Sequence, residues 1–95
     1  MPAVSRLGDT CTGHGCFPAR PNLAGSPSVF VNGQAAHRLG DAWVPHTCGN
    51  NTHAGETVGG SASVYVNGKP LARIGDDVSC GSGLAAGSAN VFAGG

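Results

Sequence analysis

The sequence predicts an all-β domain of short hairpin repeats, arranged with pseudo-threefold symmetry around one bound metal ion, with little or no helix. Three observations predict it. One motif recurs along the chain, each full copy carries an Asn-Gly turn, and the available core is too thin to stand without a staple. The 95 residues suffice for one domain, spanning 1–95. Glycine supplies 17 of them, against three Phe, one Trp, one Tyr and one Met. Glycine adds no side chain to a core and loses the most backbone freedom on ordering. Small domains of that kind rely on a disulfide, a metal or a partner.

The repeat is strong in both halves of its unit. Gly25-Ser26-Pro27-Ser28-Val29-Phe30-Val31-Asn32-Gly33 is answered by Gly60-Ser61-Ala62-Ser63-Val64-Tyr65-Val66-Asn67-Gly68. Each is followed by an Arg-aliphatic-Gly-Asp unit, Arg38-Leu39-Gly40-Asp41 and Arg73-Ile74-Gly75-Asp76. A second half comes first in the chain, at Arg6-Leu7-Gly8-Asp9, and a first half comes last, at Gly87-Ser88-Ala89-Asn90-Val91-Phe92. Two full units and two halves make three, in circularly permuted order. A small closed barrel with coincidental repetition is the alternative, and the match of both halves argues against it.

Each unit reads as a hairpin. Ser-Val-Phe-Val and Ser-Val-Tyr-Val are β-branched and aromatic runs that suit strands. Asn-Gly is the strongest two-residue hairpin signal, because both central positions of a type I′ turn need positive φ. The Arg-aliphatic-Gly-Asp half is then expected as the returning strand, its glycine permitting a bend. No apolar period of 3.6 residues is sustained, so helix is confined at most to one turn near Leu84 to Ala86.

The loops after each Asp carry the unusual chemistry. His14 and His46 both stand five residues past their Asp, each followed two residues on by a cysteine, Cys16 and Cys48. Cys80 stands four residues past Asp76. Equivalent loops of a threefold body converge on its axis, so His14, His46 and Cys80 are expected to meet, with His53 a fourth candidate from the longer second loop. Imidazoles with one thiolate suit Zn²⁺, and Fe²⁺ is the alternative. Four protein ligands leave no position for water, so the site reads as structural. Cys16 and Cys48 could instead replace a histidine or form a disulfide with each other. Cys11 reads as a small buried side chain or a bystander, and His37, within a strand, as structural.

Other functions find little support. Five basic and five acidic residues balance to zero net charge, which gives no electrostatic surface for nucleic acid or anionic lipid. The charged fraction is only 11%, which suggests that a partner covers part of the surface. No run of about 18 apolar residues could span a membrane. Met1 to Asp9 does not read as a secretory signal, so export would need a carrier for the folded chain. A Cys–His nucleophile pair oriented by Asp41 or Asp76 is conceivable. However, Asp9, Asp41 and Asp76 recur at one repeat position, which points to side-chain capping of a turn. The reading is therefore non-enzymatic.

The repeated Val-Asn-Gly…Ala-His-Arg-Leu-Gly-Asp and Val-Asn-Gly-Lys-Pro-Leu-Ala-Arg-Ile-Gly-Asp units, with their His and Cys loops, resemble a PAAR-repeat protein over essentially the whole chain. The literal Pro-Ala-Ala-Arg tetrapeptide is absent; Gln34-Ala35-Ala36-His37-Arg38 and Lys69-Pro70-Leu71-Ala72-Arg73 stand in its place. The resemblance implies a short sharp cone with a zinc ion near its point. It implies ligation by three histidines and one cysteine, falling on His14, His46, His53 and Cys80; of these, His53 rests more on the family than on the spacing. It also implies docking on the trimeric VgrG-type β-helical spike of a type VI secretion system or a related contractile tail. One chain would sit on each trimer, cytoplasmic until firing. It would meet the target membrane as the leading point, and could adapt separately encoded effector cargo. The chain leaves no room for an effector domain of its own, so a bare tip is expected. A free-standing metal-binding module or metallochaperone is the competing reading.

Overall fold

The computed structural model describes residues 1–94; Gly95 lies outside the described residues. Hairpins form where the Asn-Gly turns dictate. Strand β1 (Phe30–Val31) pairs antiparallel with β2 (Gln34–Ala35), and β5 (Tyr65–Val66) pairs with β6 (Lys69–Pro70). Asn32 and Gly33 have φ of 55° and 79°, and Asn67 and Gly68 54° and 79°. Both central positions are left-handed in each turn, as type I′ requires. The third hairpin is shared by the chain's two ends: Phe92 bridges Ala3, and the Ala93 N–H donates to the Pro2 carbonyl.

Two-residue strands cannot hold a sheet alone, so the hairpins support one another in a closed ring. Arg6 bridges Ala36, Arg38 bridges Leu71, and Arg73 bridges Val4. The N–H groups of Leu7, Leu39 and Ile74 donate to the carbonyls of Ala35, Pro70 and Ala3 at 2.7, 2.9 and 2.9 Å. At the centre, Ser5 N–H donates to Ala72 O (2.9 Å), Ala72 N–H to His37 O (3.0 Å) and His37 N–H to Ser5 O (3.1 Å). These three residues each precede the repeat arginine. Their cyclic bonds mark the pseudo-threefold axis, and closure uses strand edges that would otherwise be open to another chain.

The Arg-aliphatic-Gly-Asp segment corrects one expectation. It is a tight turn, not a returning strand. The Asp N–H donates to the Arg carbonyl three residues back, at 3.0, 3.0 and 3.1 Å for Asp9, Asp41 and Asp76. The intervening Gly8, Gly40 and Gly75 have φ of 92°, 88° and 92°, which favours glycine. Each carboxylate accepts from the Arg backbone N–H and from its guanidinium, giving three equivalent ion pairs, Arg6–Asp9, Arg38–Asp41 and Arg73–Asp76. The turn bond to the carboxylate fits the capping role read from the sequence; the ion pair adds to it.

The guanidiniums reach the neighbouring hairpin as well. Asn67 Oδ1 accepts from Ser26 Oγ (2.5 Å) and Arg38 Nη1 (3.1 Å), and Asn32 Oδ1 accepts from Ser88 Oγ (2.5 Å) and Arg6 Nη1 (3.3 Å). In the third copy Gly94 stands at the position of Asn32 and Asn67, and its carbonyl accepts from Ser61 Oγ (2.5 Å) and Arg73 Nη1 (3.1 Å). A backbone oxygen replaces a side-chain oxygen and the pattern survives.

Two small cores stack along an elongated body of 38 × 24 × 22 Å. Val4, Val31, Ala36, Val66, Leu71 and Ala93 pack beneath the hairpins; Cys11, Trp43, Ala72, Val78 and Leu84 pack toward the loops, with Cys80 against them. His37 is fully buried between them and structural, as the sequence suggested. Its Nδ1 faces the Ala24 carbonyl at 2.8 Å and its Nε2 faces Thr57 Oγ1 at 2.6 Å, while Trp43 Nε1 donates to the same hydroxyl at 2.9 Å. One assignment satisfies all three: a neutral imidazole donating from Nδ1 and accepting from Thr57. Burial holds that imidazole below its ordinary pKa, consistent with neutrality. No helix occurs among the described residues, including Leu84 to Ala86.

Candidate metal centre

Each Asp turn launches a loop, and the three loops meet at one end of the body. In the first, His14 and Phe17 exchange both backbone bonds, at 3.1 and 2.8 Å, across a two-residue turn at Gly15-Cys16. Gly13, just before it, has φ 71°, and a Cβ there would lie 2.6 Å from the Phe17 carbonyl oxygen, so only glycine permits this close return. The second loop contains a hairpin that the sequence did not announce: β3 (His46–Cys48) pairs with β4 (Asn51–His53) through Gly49-Asn50. Its register sets His46 directly opposite His53, which puts both imidazoles on one face. In the third, the Val78 N–H donates to Ser82 O (2.8 Å) and the Gly81 N–H to Val78 O (3.0 Å), a tight loop that holds Cys80 inward.

The structure brings His14, His46, His53 and Cys80 together, their ligand atoms all within 4.8 Å of one another. The Nε2 atom of His53 lies 3.0 Å from that of His14 and 2.6 Å from that of His46. One nitrogen facing two others can share a proton with only one of them. A cation, in contrast, accepts all three lone pairs at once. The His46 ring is already set for that: its Nδ1 lies 2.8 Å from the Pro18 carbonyl, so the proton sits on Nδ1 and the lone pair on Nε2. Partial burial, then the neighbouring His46 and His14, hold the His53 imidazole below its ordinary pKa, which favours the neutral form that can offer a lone pair. Burial pushes the Cys80 thiol up, but bonds from Ser82 and Arg20 outweigh it and favour the thiolate. The donor set fits a metal ion.

Phe17 covers the cluster. Its ring lies 4.1 Å from that of His53 and 4.8 Å from those of His14 and His46. Sequence reasoning missed it, although its place beside His14 was a signal. Cys16, in the His14–Phe17 turn, and Cys48, at the end of β3, are joined as a disulfide with Cα atoms 5.5 Å apart. Of the alternatives left open by the sequence, the structure thus takes the disulfide; neither sulfur joins the ligand cluster. A link closing a loop of this length restrains the unfolded chain by on the order of 4 kcal/mol. Cys11 is buried and outside the cluster, as expected, but it is not idle: it accepts from Arg20.

Arg20 is the second residue the sequence did not single out. It is 5% exposed; Nε donates to Val44 O (2.8 Å), Nη1 to Cys11 Sγ (3.1 Å) and Nη2 to Cys80 Sγ (3.4 Å). Its guanidinium carbon stands 5.1 Å from the Trp43 ring centroid, a cation–π arrangement. Its repeat equivalents are Gly55 and Ser82, as shown by the matched bonds from Cys11, Trp43 and Val78 N–H to the three carbonyls. Two small residues leave room for one large one.

Replacing His14 or Cys80 by Ala is expected to reduce metal content from about one equivalent per chain to well below it. Cys11→Ala should keep the full equivalent. Elemental analysis of the three purified variants checks both statements.

A comparison with curated proteins finds no match. The PAAR motif family, by contrast, matches residues 18–86 of the 95, a span that holds both complete hairpin repeats, the β3–β4 hairpin and the Cys80 loop. With its interlocking hairpins, its Arg-Asp turns and the His and Cys cluster they hold, the chain belongs to the PAAR-motif family.

Proposed function

We propose that the protein is a structural, non-enzymatic tip that caps the trimeric VgrG-type spike of a type VI secretion system or related contractile tail. In this reading it holds one zinc ion as an internal crosslink. The observation that carries the docking half is the threefold pattern of exposed apolar residues on the hairpins. Phe30, Tyr65 and Phe92 are 60, 58 and 48% exposed, and Val29, Val64 and Val91 beside them 39, 38 and 36%. Large apolar side chains left open in a contiguous pattern mark an interaction surface. Six of them in three matched pairs suit a partner with three matched corners.

The metal half is supported by the donor set. Three imidazoles and one thiolate suit tetrahedral Zn²⁺ in a closed structural site. Fe²⁺ accepts similar ligands, and elemental analysis separates the two. His14 and His46 come from two loops, His53 from the same hairpin as His46, and Cys80 from the third, so an ion there ties all three repeats. A crosslink at that end resists unfolding where a point driven against a membrane bears its load. A metallochaperone would need a readily exchanged ion, whereas here Phe17 and the Cys16–Cys48 link close the ligands in. The chain would wait at the apparatus tip in the cytoplasm and leave with the spike when the apparatus fires, with effector cargo a further passenger.

One chain is expected to bind per spike trimer. Light scattering of the purified complex measures this directly, and three chains per trimer would exclude a pseudo-threefold cap.

A further inference from the structure

We propose that Arg20 is a positioning residue for the metal centre: one buried guanidinium that ties the three ligand loops together behind the ion and donates to the ligating sulfur. This rests on His14, His46, His53 and Cys80 being a metal site. The contacts reach every loop. Cys11 lies three residues before His14, Val44 lies two before His46, and Cys80 is itself in the ligand set. Gly55, two residues past His53, lies against Nη2: a Cβ built there would be in van der Waals contact with that atom, at 3.5 Å. Segments carrying all four ligands therefore rest on one side chain.

The charge balance makes the placement unusual. Among the described residues the arginine–carboxylate pairs are those of Arg6, Arg38 and Arg73, and Arg20 has none. A buried cation without a carboxylate is costly, and here two sulfurs, one carbonyl and the Trp43 face are its partners. Lysine could not replace it, since a single ammonium lacks the planar fork that reaches three acceptors in fixed directions. Charge alone would also work against the ion, because a guanidinium repels a divalent cation. A net benefit must come from geometry: fixing the Cys80 sulfur and the approach of the His14 and His46 loops. The two effects have opposite signs, so one measurement tells them apart.

The test loads Co²⁺ into the wild-type protein, Arg20→Lys and Arg20→Met. It measures affinity by competition with a chromophoric chelator and records the thiolate-to-cobalt charge-transfer band. Both variants should bind about 10- to 100-fold more weakly, the range that lost outer-shell partners produce. The band should move to lower energy, because the sulfur loses an N–H donor; a purely structural role would lower melting without moving it. Should Arg20→Met fail to fold, NMR of the wild-type protein decides. Its Arg20 guanidinium protons should be protected from exchange and should shift on metal loading. Variants that bind as tightly as wild type or tighter with an unmoved band would overturn the proposal, as would guanidinium protons exchanging like those of an exposed arginine. Wild-type protein that takes up no cobalt would sink the metal reading, and this inference with it. Cobalt uptake with indifferent variants would sink this inference alone.

Discussion

Stripping the ion from the loaded protein with a strong chelator is expected to lower its melting temperature by tens of degrees or abolish cooperative melting. The magnitude follows from three quantities. Structural zinc in small domains contributes on the order of 10 kcal/mol to folding. A domain of this size is stable by about 5–15 kcal/mol in total. Each kcal/mol moves the midpoint by roughly 4–8 °C for domains of 60–100 residues. The ion's share is therefore comparable with the whole. The two cores offer little to replace it, since among the described residues Trp43 and Leu84 are the only fully buried side chains larger than histidine. The Cys16–Cys48 link keeps two loops together after the metal leaves, so a combined treatment with chelator and reductant should unfold the chain further than chelator alone. Differential scanning calorimetry before and after chelation measures this, and an unchanged curve would count decisively against a structural metal.

The second large effect is expected at the central ion pair. Asp41→Asn should destabilise the protein by about 3–5 kcal/mol, because it leaves the Arg38 guanidinium buried without its counter-charge. Arg38 and Asp41 have side chains only 11 and 5% exposed, the most enclosed of the three pairs. Arg38 also holds Asn67 Oδ1 and Gly25 O, so its displacement loosens the neighbouring hairpin. Asp9→Asn should cost less, since Arg6 is the most solvated of the three arginines at 17%. The same pair predicts an acid limb. Burial pushes the Asp41 carboxyl up, but the Arg38 bonds outweigh it and hold its pKa below the ordinary value. Its contribution is complete above about pH 4 and is lost as pH falls through the lowered folded value. Chemical denaturation of both variants across that range tests the ranking, and equal costs at Asp9 and Asp41 would contradict it.

Much of the fold was legible because it is written in local, repeated chemistry. Asn-Gly sets the hairpin turns through positive φ at two adjacent positions, and the same signal appears twice. The circular order of half-repeats required the chain ends to meet in a third hairpin, and Phe92 does bridge Ala3. Equal offsets from Asp9 and Asp41 marked His14 and His46, with Cys80 one residue short of the same offset. The structure shows why that near-match suffices: the third loop is tighter, turning at Gly81. The Arg-aliphatic-Gly-Asp segment departs from the expected strand because its sequence suits a bent strand as readily as a turn. What settles it is the carboxylate folding back on the Arg N–H, a three-residue contact with no hydrophobic period to reveal it.

The repeat, its turns, its permuted order and the kinds of residue able to ligate an ion can all be read from the order of amino acids. Which residue fills the space behind the site is a matter of packing between units: Arg20 takes it, while its counterparts in the other two repeats are the small Gly55 and Ser82. The assembled fold alone placed Phe17 over the imidazoles, set His46 opposite His53 and joined Cys16 to Cys48. The physical reason is common to all of these. Symmetry repeats a hydrogen-bond pattern that one unit spells out locally, whereas each departure from symmetry depends on side chains from different units meeting in space.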